Sequence, residues 1–557
     1  VERSRGLGDV YKRQIYIRPN QRKKGINLTN KVILCMIGKT VIVGSKNMKE
    51  KILKFITSKF FVLGIQLLAT IAVVYFTFKL DLVPTKYLIA GIVVLALLLA
   101  GFFGIIYSSE QKIKKGLSSK RGIVTKIISL LTSIILIAGC TYISRGNNFI
   151  ENVSNATGQE YVVSVISLKN GKITKLKDLD SSKKIGVSYE KDTVTIAEAL
   201  KDLDTEIGDH EYTKYDNYAS LADALYEGKV DAIVVGEQYR TMLQTNHEEF
   251  NDVTKVLKSY AYDAKMEVTT KQTDVTENAF SIYVTGIDVY GSLKTVSRSD
   301  VNLIVTVNPK TKQILMTSIP RDCQINLHKN GKMDKLTHTG IYGTSETINT
   351  IQDLLEMKIN YFARTNFSGM TNIVDALGGI TVNSSEAFET LHGNYQITEG
   401  LNEMDGDKAL CFVRERKRLK RGDFARGENQ QKVLKAMLDK AMSPKIITNF
   451  NNILSAVEGC FETDMSDKEI KSLINMQLND MADWKIINVQ IEGEYQLMDD
   501  TFSMKGTNSD VMIPFESHIE RVQELINKVE EGKEIKDSEL KLSLIHISEP
   551  TRPLYIS

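Results

Sequence analysis

Cysteine is scarce in this chain, and its spacing excludes more than its number. Five occur in 557 residues, at Cys35, Cys140, Cys323, Cys411 and Cys460, and no two are spaced CxxC. Zinc ribbons and thioredoxin-like redox motifs are therefore absent, as is the dense disulfide framework of small secreted domains. The seven histidines include no HExxH, so that zinc-hydrolase signature is missing too. Gly38-Lys39-Thr40 ends like a phosphate loop, but Ile33 stands where that loop needs its first glycine. Net charge is small as well. Lys and Arg total 71 against 68 Asp and Glu, so nothing global attracts nucleic acid and any anion site is local. Charged residues at 25% and hydrophobic residues at 42% exclude wholesale disorder and collagen-like repeats. At about 100–200 residues per domain the length predicts three or four units.

The two ends match nothing around them. VERSRGLGDVYKRQ at 1–14 and SLIHISEPTRPLYIS at 543–557 resemble translated sequencing-adapter sequence and are set aside from fold reasoning. Met48 opens a short basic stretch before an apolar run and is read as the native start, which makes 15–47 read-through, with a native flexible tail as the alternative.

Three apolar runs follow, Phe60–Phe78, Tyr87–Tyr107 and Ile127–Ile143. Each is long enough, the third only just, for a bilayer core of about 30 Å. KLDLVPTK at 79–86 joins the first two as a hairpin. Lys49, Lys51, Lys54 and Lys59 precede the first run, and Lys112, Lys114, Lys115, Lys120, Arg121 and Lys126 separate the second from the third. Positive flanks face the cytoplasm, which places everything after about residue 145 outside a bacterial plasma membrane.

Between 150 and 270, short apolar strands (Tyr161–Leu168, Lys184–Val187, Ala232–Val235) alternate with helical patterns (Val194–Leu203, Tyr218–Tyr226), an α/β order. LKDLDSSKKIGVSYEKDT and ASLADALYEGKVDAIVV resemble solute-binding domains of the periplasmic type. Ligand binding and a structural or docking role both remain open there, the latter being the simpler expectation.

The chemistry gathers further on. Phe280–Gly286 reads as a buried strand that delivers Asp288 at its end. Arg298 and Asp300 precede a second strand, Val301–Val307. Asn308–Lys312 is a hairpin turn, and Ile314–Ser318 returns to Arg321-Asp322. Ligands collect at such strand ends in open α/β sheets. Leu410–Val413 reads as another strand, with Arg414 and Arg416 on one face by period-two alternation. Gly427–Met442 has helical spacing, and Arg426 and Gln430, four apart, share a face at its start. Four long polar side chains in that arrangement could converge on one phosphate, for which arginine's fork is suited. A solvated basic face remains an alternative for Lys417, Arg418, Lys420 and Arg421. A nucleic-acid patch is disfavoured, because it lacks interleaved aromatics and lies outside the membrane.

SRSDVNLIVTVNPKTKQILMTSIPRD, KLTHTGIYG, NFSGMTNIVDALGGITV and FVRERKRLKRGDFARGENQQKVLKAML resemble the LytR-CpsA-Psr family over residues 278–530. Three spans and an extra outer domain resemble its capsule-attachment subgroup. The resemblance implies an α/β/α domain with a central mixed sheet, and an extracellular transferase. Its members move a glycopolymer from undecaprenyl pyrophosphate to peptidoglycan through a phosphodiester. It implies Mg²⁺ on Asp288 and Asp300, pyrophosphate on Arg298, Arg321, Arg414, Arg416, Arg426, Gln430 and Lys335, and catalytic roles for Arg298 and Arg321, with the parts played by Lys335 and Asp375 the least defined. Asp322 is expected either to join catalysis or to orient Arg321. Phe362, Phe367, Met370, Ile373, Val374 and Leu377 are candidates for a polyprenyl slot, although helical apolar spacing also marks plain core. Capsule-synthesis membrane proteins are further candidate partners, and nucleic acid is not one. A polyprenyl-pyrophosphate-binding regulator and a pyrophosphatase are the competing readings. Two departures from the family pattern, Cys323 and Cys411, flank the expected site. A disulfide between them competes with the simpler expectation of two buried free thiols. The expected domains are a non-native segment at 1–47, a membrane domain at 48–145, an accessory domain at 146–272, a catalytic domain at 273–535 and a tail at 536–557.

Overall fold

The computed structural model describes residues 51–542 apart from 53, 116, 118–119, 155, 157, 191, 245–246, 248, 265–269, 271, 288–291 and 443–458. Both adapter-like ends, the expected start at Met48, Cys35 and Asp288 lie outside the described residues. The chain divides into two units, Val1–Phe76 with Lys86–Thr141, and Thr77–Thr85 with Tyr142–Ser557.

Three helices are long and apolar enough to cross a membrane: α1 (Lys59–Leu80), α2 (Thr85–Lys114) and α3 (Lys120–Val153). α3 has 34 residues and continues well past the apolar run that announces it, into the polar sequence at 144–153. Leu, Ile, Val and Ala fill all faces of α1 and α2, as lipid requires, and polar glue sits inside. Gln66 of α1 is buried, and its Oε1 accepts hydrogen bonds from Ser133 Oγ at 2.7 Å and Ser129 Oγ at 3.3 Å, both on α3. At one end Glu110 of α2 pairs with Lys59 at 2.9 Å and Lys126 at 3.6 Å.

In the second unit, β1 (Gln159–Leu168), β2 (Ile185–Ser188), α4 (Val194–Ile207), β3 (Tyr212–Tyr215), α5 (Tyr218–Tyr226), β4 (Ala232–Gly236) and β5 (Thr254–Ala264) build a five-stranded sheet ordered β3-β2-β4-β1-β5. β3, β2 and β4 are parallel, while β1 runs antiparallel to β4 and β5. β2 and β4 are buried along their whole length, which is why they read as continuous apolar runs.

The second sheet is mixed and six-stranded. β6 (Phe280–Ile287), β7 (Ser299–Asn308) and β8 (Gln313–Ser318) form its antiparallel centre. β9 (Tyr361–Asn366) adds parallel to β6, and β10 (Phe461–Thr463) antiparallel to β9. β11 (Lys485–Gln490) adds parallel to β8. The alternation of each strand feeds two cores. Tyr283, Ile304, Leu315 and Phe362 pack with Ile348 and Ile351 of α6 (Thr344–Leu355) on one face. Val305, Ile314, Met316 and Tyr361 pack with Leu434 and Leu438 on the other. The result is the expected helix–sheet–helix sandwich. Because the centre is antiparallel, the end of β6, the start of β7 and the ends of β8 and β9 share one edge. Ile287 stands opposite both Ser299 and Asn366 there.

One expected strand is a helix. Leu410–Val413 lies inside α8 (Gly406–Arg414), which follows α7 (Phe367–Ala376). Asp405 caps α8 by accepting from Lys408 N at 2.9 Å, Asp407 sits in the first turn, and Ala409, Phe412 and Val413 recur at helical spacing on the buried face. Arg414 therefore ends a helix and Arg416 stands in the following loop, so they do not share a strand face. α9 (Asp423–Ala441) starts four residues before the expected helix and includes Arg426.

Candidate phosphate-binding site

A cavity of about 530 Å³ opens at the shared sheet edge, between β6, β7, α7, α8 and α9. Asp300, Arg321, Arg414, Arg416, Arg426 and Gln430 all line it, brought together from 130 residues of sequence. Val301, Leu303, Phe367, Met370, Ile373 and Met437 form its apolar part. Of the six slot candidates, Phe367, Met370 and Ile373 reach the cavity. Phe362 and Val374 are fully buried in separate cores, and Leu377 is not on the wall. Leu410, Val413 and Leu434 also line it, and sequence spacing alone did not separate them from plain core.

The polar end is dense in charge. Arg321 Nη1 donates to Asp300 Oδ1 at 3.1 Å, and Thr337 Oγ1 approaches the same oxygen at 3.4 Å. Burial alone would raise the Asp300 carboxyl, but Arg321, Arg298 and Arg426 together hold it at about 2. Arg426 pairs with Asp423 at 2.7 Å in the first turn of α9. Arg414 lies over the Phe367 ring, 4.3 Å from its centroid. Gln430 follows Arg426 by one helical turn on the same wall.

Asp322 does not line the cavity. It is buried behind it and collects cations: Lys335 Nζ at 3.1 Å, Arg321 Nε at 3.7 Å and Arg416 Nη1 at 3.9 Å. Burial raises its carboxyl, and Arg321 and Lys335 bring it below the usual range. Lys335 thus acts on Asp322 from behind. Arg298 also sits beside the cavity, where its charge lowers Asp300, and its Nε is buried without a hydrogen bond. Its backbone is seated by a close approach. A Cβ on Gly340 would lie 2.5 Å from Ser297 O and 2.8 Å from Ser299 N, so only glycine fits there. Asp375 accepts from Gly406 N at 2.7 Å and so ties α7 to the start of α8.

Glu415 carries a role that the sequence did not signal. Its buried carboxylate accepts from Leu391 N at 2.6 Å, Arg416 N at 2.9 Å and Arg418 N at 3.1 Å, which fixes the loop bearing Arg416 and a second cavity wall, Leu391-His392. Cys323 and Cys411 are both free thiols, Cys323 fully buried and Cys411 half-buried. Among the described residues no group of three or more His, Cys, Asp or Glu side chains forms a ready metal cage.

An α/β sandwich with an arginine-lined cavity at one sheet edge is the class these observations define. The LytR_cpsA_psr family model matches residues 243–527, and the chain belongs to that family. Residues 155–279 also match the NMT1/THI5 like model. The polyisoprenyl-teichoic acid–peptidoglycan teichoic acid transferase TagU of Bacillus subtilis is 35% identical over 191 residues, covering 34% of this chain and 61% of that protein. The protein of the same name from Halalkalibacterium halodurans is 32% identical over 252 residues, 44% of this chain and 80% of the relative. The crystal structure of B. subtilis TagV superposes with a TM-score of 0.40 at 26% identity, covering 46% of this chain and 98% of that one.

Proposed function

We propose that the chain is a membrane-anchored transferase. It moves a glycopolymer, capsular or teichoic-acid-like, from an undecaprenyl-pyrophosphate carrier to a peptidoglycan hydroxyl on the outer side of the membrane. The observation that carries this reading is the junction of a cationic cluster with an apolar cavity, the two halves of a polyprenyl pyrophosphate. The names of the two transferases similar to this chain agree with it.

Arg321, Arg426, Arg414 and Arg416 would neutralise the pyrophosphate and hold charge as it develops on the transferred phosphoryl oxygens. Phe367, Met370, Ile373 and Met437 would take the first isoprene units. Asp322, with Lys335 behind it, keeps Arg321 and Arg416 oriented without touching substrate. Asp300 is an ionised carboxylate on the cavity wall, donor chemistry that suits Mg²⁺, and a cation that binds through one or two carboxylates plus phosphate oxygens needs no larger protein cage. Asp300, with Asp288, would hold it. Bound Mg²⁺ supplies Lewis-acid polarisation of a phosphoryl oxygen.

The test incubates the detergent-purified chain with a lipid-pyrophosphate glycan, Mg²⁺ and peptidoglycan. A covalent polymer–peptidoglycan product, lost on chelation and reduced by about 10²–10³ in Arg321→Ala, is the expected result. Release of glycan or phosphate without a covalent product marks a hydrolase instead. Unchanged turnover in Arg321→Ala removes the site assignment.

A further inference from the structure

The cavity accounts for the donor and leaves the acceptor without a place. In-line displacement puts attacking and leaving oxygens on opposite sides of phosphorus. With the lipid phosphate leaving toward the apolar cavity, the acceptor hydroxyl arrives from the other side of the arginine cluster.

A hairpin stands at that cluster. β12 (Gly493–Asp500) pairs with β13 (Lys505–Pro514), and Tyr495 is in register with Met512. Met512 N donates to Asp322 O at 2.8 Å, so β13 is bonded directly to the Arg321-Asp322 backbone. Tyr495 packs edge-on against Phe424 of α9, centroids 5.8 Å apart, two residues before Arg426. Burial first and then Asp423 and Asp322 raise its phenol, while Arg426 and Arg416 ease it, the signature of a ring beside the cationic cluster. Yet Tyr495 is not on the cavity wall and is 41% exposed. Leu497, two residues on and on the same strand face, is 71% exposed.

Building on the transferase reading, we infer that the Tyr495–Leu497 face of this hairpin is the docking platform for the acceptor glycan. Tyr495 stacks on a sugar ring and presents its neighbouring hydroxyl to the phosphoryl group held by the arginines. The chemistry matches an uncharged pyranose chain. Its axial C–H groups carry partial positive charge and meet the negative face of the ring, while its hydroxyls stay wet. Two exposed side chains span one or two sugar rings. They are far short of the roughly 1,200 Å² that a specific protein interface buries. The attacking hydroxyl forms the new P–O bond as the bond to the lipid phosphate breaks, its proton leaves to solvent at the open side, and the products are the phosphodiester and polyprenyl phosphate.

The probe is a β-1,4-linked N-acetylglucosamine tetrasaccharide, an uncharged pyranose chain, titrated by calorimetry and saturation-transfer NMR into the full chain in detergent. Tyr495→Ala is expected to raise its Kd by about tenfold, and Tyr495→Phe to stay within about twofold because stacking needs the ring and not the hydroxyl. Leu497→Ser, at a solvent-facing position, is expected to weaken binding by a smaller factor without touching the fold. In the transfer assay Tyr495→Ala raises the acceptor KM and leaves donor binding unchanged. No saturable binding by the unaltered chain, or equal Kd for Tyr495→Ala, overturns the platform. Tetrasaccharide binding through Tyr495 with no covalent product leaves the platform standing and removes the transferase reading. Product formation with an unchanged acceptor KM in Tyr495→Ala does the reverse.

Discussion

Lys335 Nζ lies 3.1 Å from Asp322 Oδ1 in a buried pocket of charge that also receives Arg321 and Arg416. One carboxylate therefore compensates three cations, two of which line the cavity. Asp322→Asn takes the paired carboxylate from Lys335 and Arg416 and leaves Arg321 with Asp300 alone. Breaking a buried ionic group by removing one partner costs about 3–5 kcal/mol. We expect a stability loss toward the lower end of that range, measured by denaturant unfolding of the detergent-solubilised chain. Lys335→Met is expected to cost less, because Asp322 keeps its two arginines.

Stability should also fall below neutral pH through a second buried pair. His338 Nδ1 is 2.6 Å from Asp334 Oδ1, and both are almost fully buried. Burial lowers the imidazole first, Arg298 and Lys335 lower it further, and the neighbouring Asp334 only partly offsets them. Burial raises the Asp334 carboxyl, but His338 and Ser503 bring it below its usual value. A histidine lowered on folding binds fewer protons folded than unfolded. Its contribution is complete above the unfolded value of about 6.5 and is lost as pH falls from there toward the folded value. Unfolding midpoints measured from pH 7.5 to 5 should decline, and His338→Gln should flatten that slope.

How much of this was legible depended on locality. The strands 280–287, 299–308 and 313–318 announce themselves because their residues are buried on both faces, and NPKTK turns with Lys312 in the left-handed region at φ 54°. Tyr218–Tyr226 is a helix over the very residues its pattern marks, with Asn217 as its cap. Leu410–Val413 misled because four apolar residues in a row fit either period. The deciding signals were the cap at Asp405 and the recurrence of Ala409, Phe412 and Val413. The arginines were found by motif, and Asp322 was named as a partner for Arg321, but its meeting with Lys335 and Arg416 and the role of Glu415 were not. Asp322 meets Lys335 and Arg416 only in the fold, and Glu415 acts through Leu391 N, 24 residues back. Tyr495 had no local signal at all, since a backbone bond from Met512 to Asp322 brings its hairpin to the cluster.

Two phenylalanines five residues apart should behave differently. Phe367 lines the cavity under Arg414, whereas Phe362 is wholly buried in the core behind the sheet. Phe362→Ala should cost about 3–5 kcal/mol of stability by leaving a cavity. Phe367→Ala should change stability far less and remove a cation–π contact of about 0.5–2 kcal/mol. Affinity for a polyprenyl pyrophosphate should then drop several-fold. Binding of inorganic pyrophosphate and of lipids with increasing isoprene number, measured side by side, separates loss of the arginine's support from loss of lipid contact.

Gly340 gives a test of Arg298 that leaves its charge intact. Residues 336–339 form a short buried helix, and Gly340 ends it against the backbone at 297–299. Because a methyl group there would meet Ser297 O at 2.5 Å and Ser299 N at 2.8 Å, both main-chain atoms, the strain cannot be relieved by rotating a side chain. In Gly340→Ala the segment carrying Arg298 must move away from Asp300, whose carboxyl Arg298 helps to lower. Overpacking of this kind costs about 1–3 kcal/mol, and turnover should fall further than that stability loss alone explains. Arg298→Lys keeps charge and backbone and should retain more activity than Gly340→Ala if the position of the guanidinium's main chain is what matters. Comparable losses in the two variants would instead place the requirement on the guanidinium group itself.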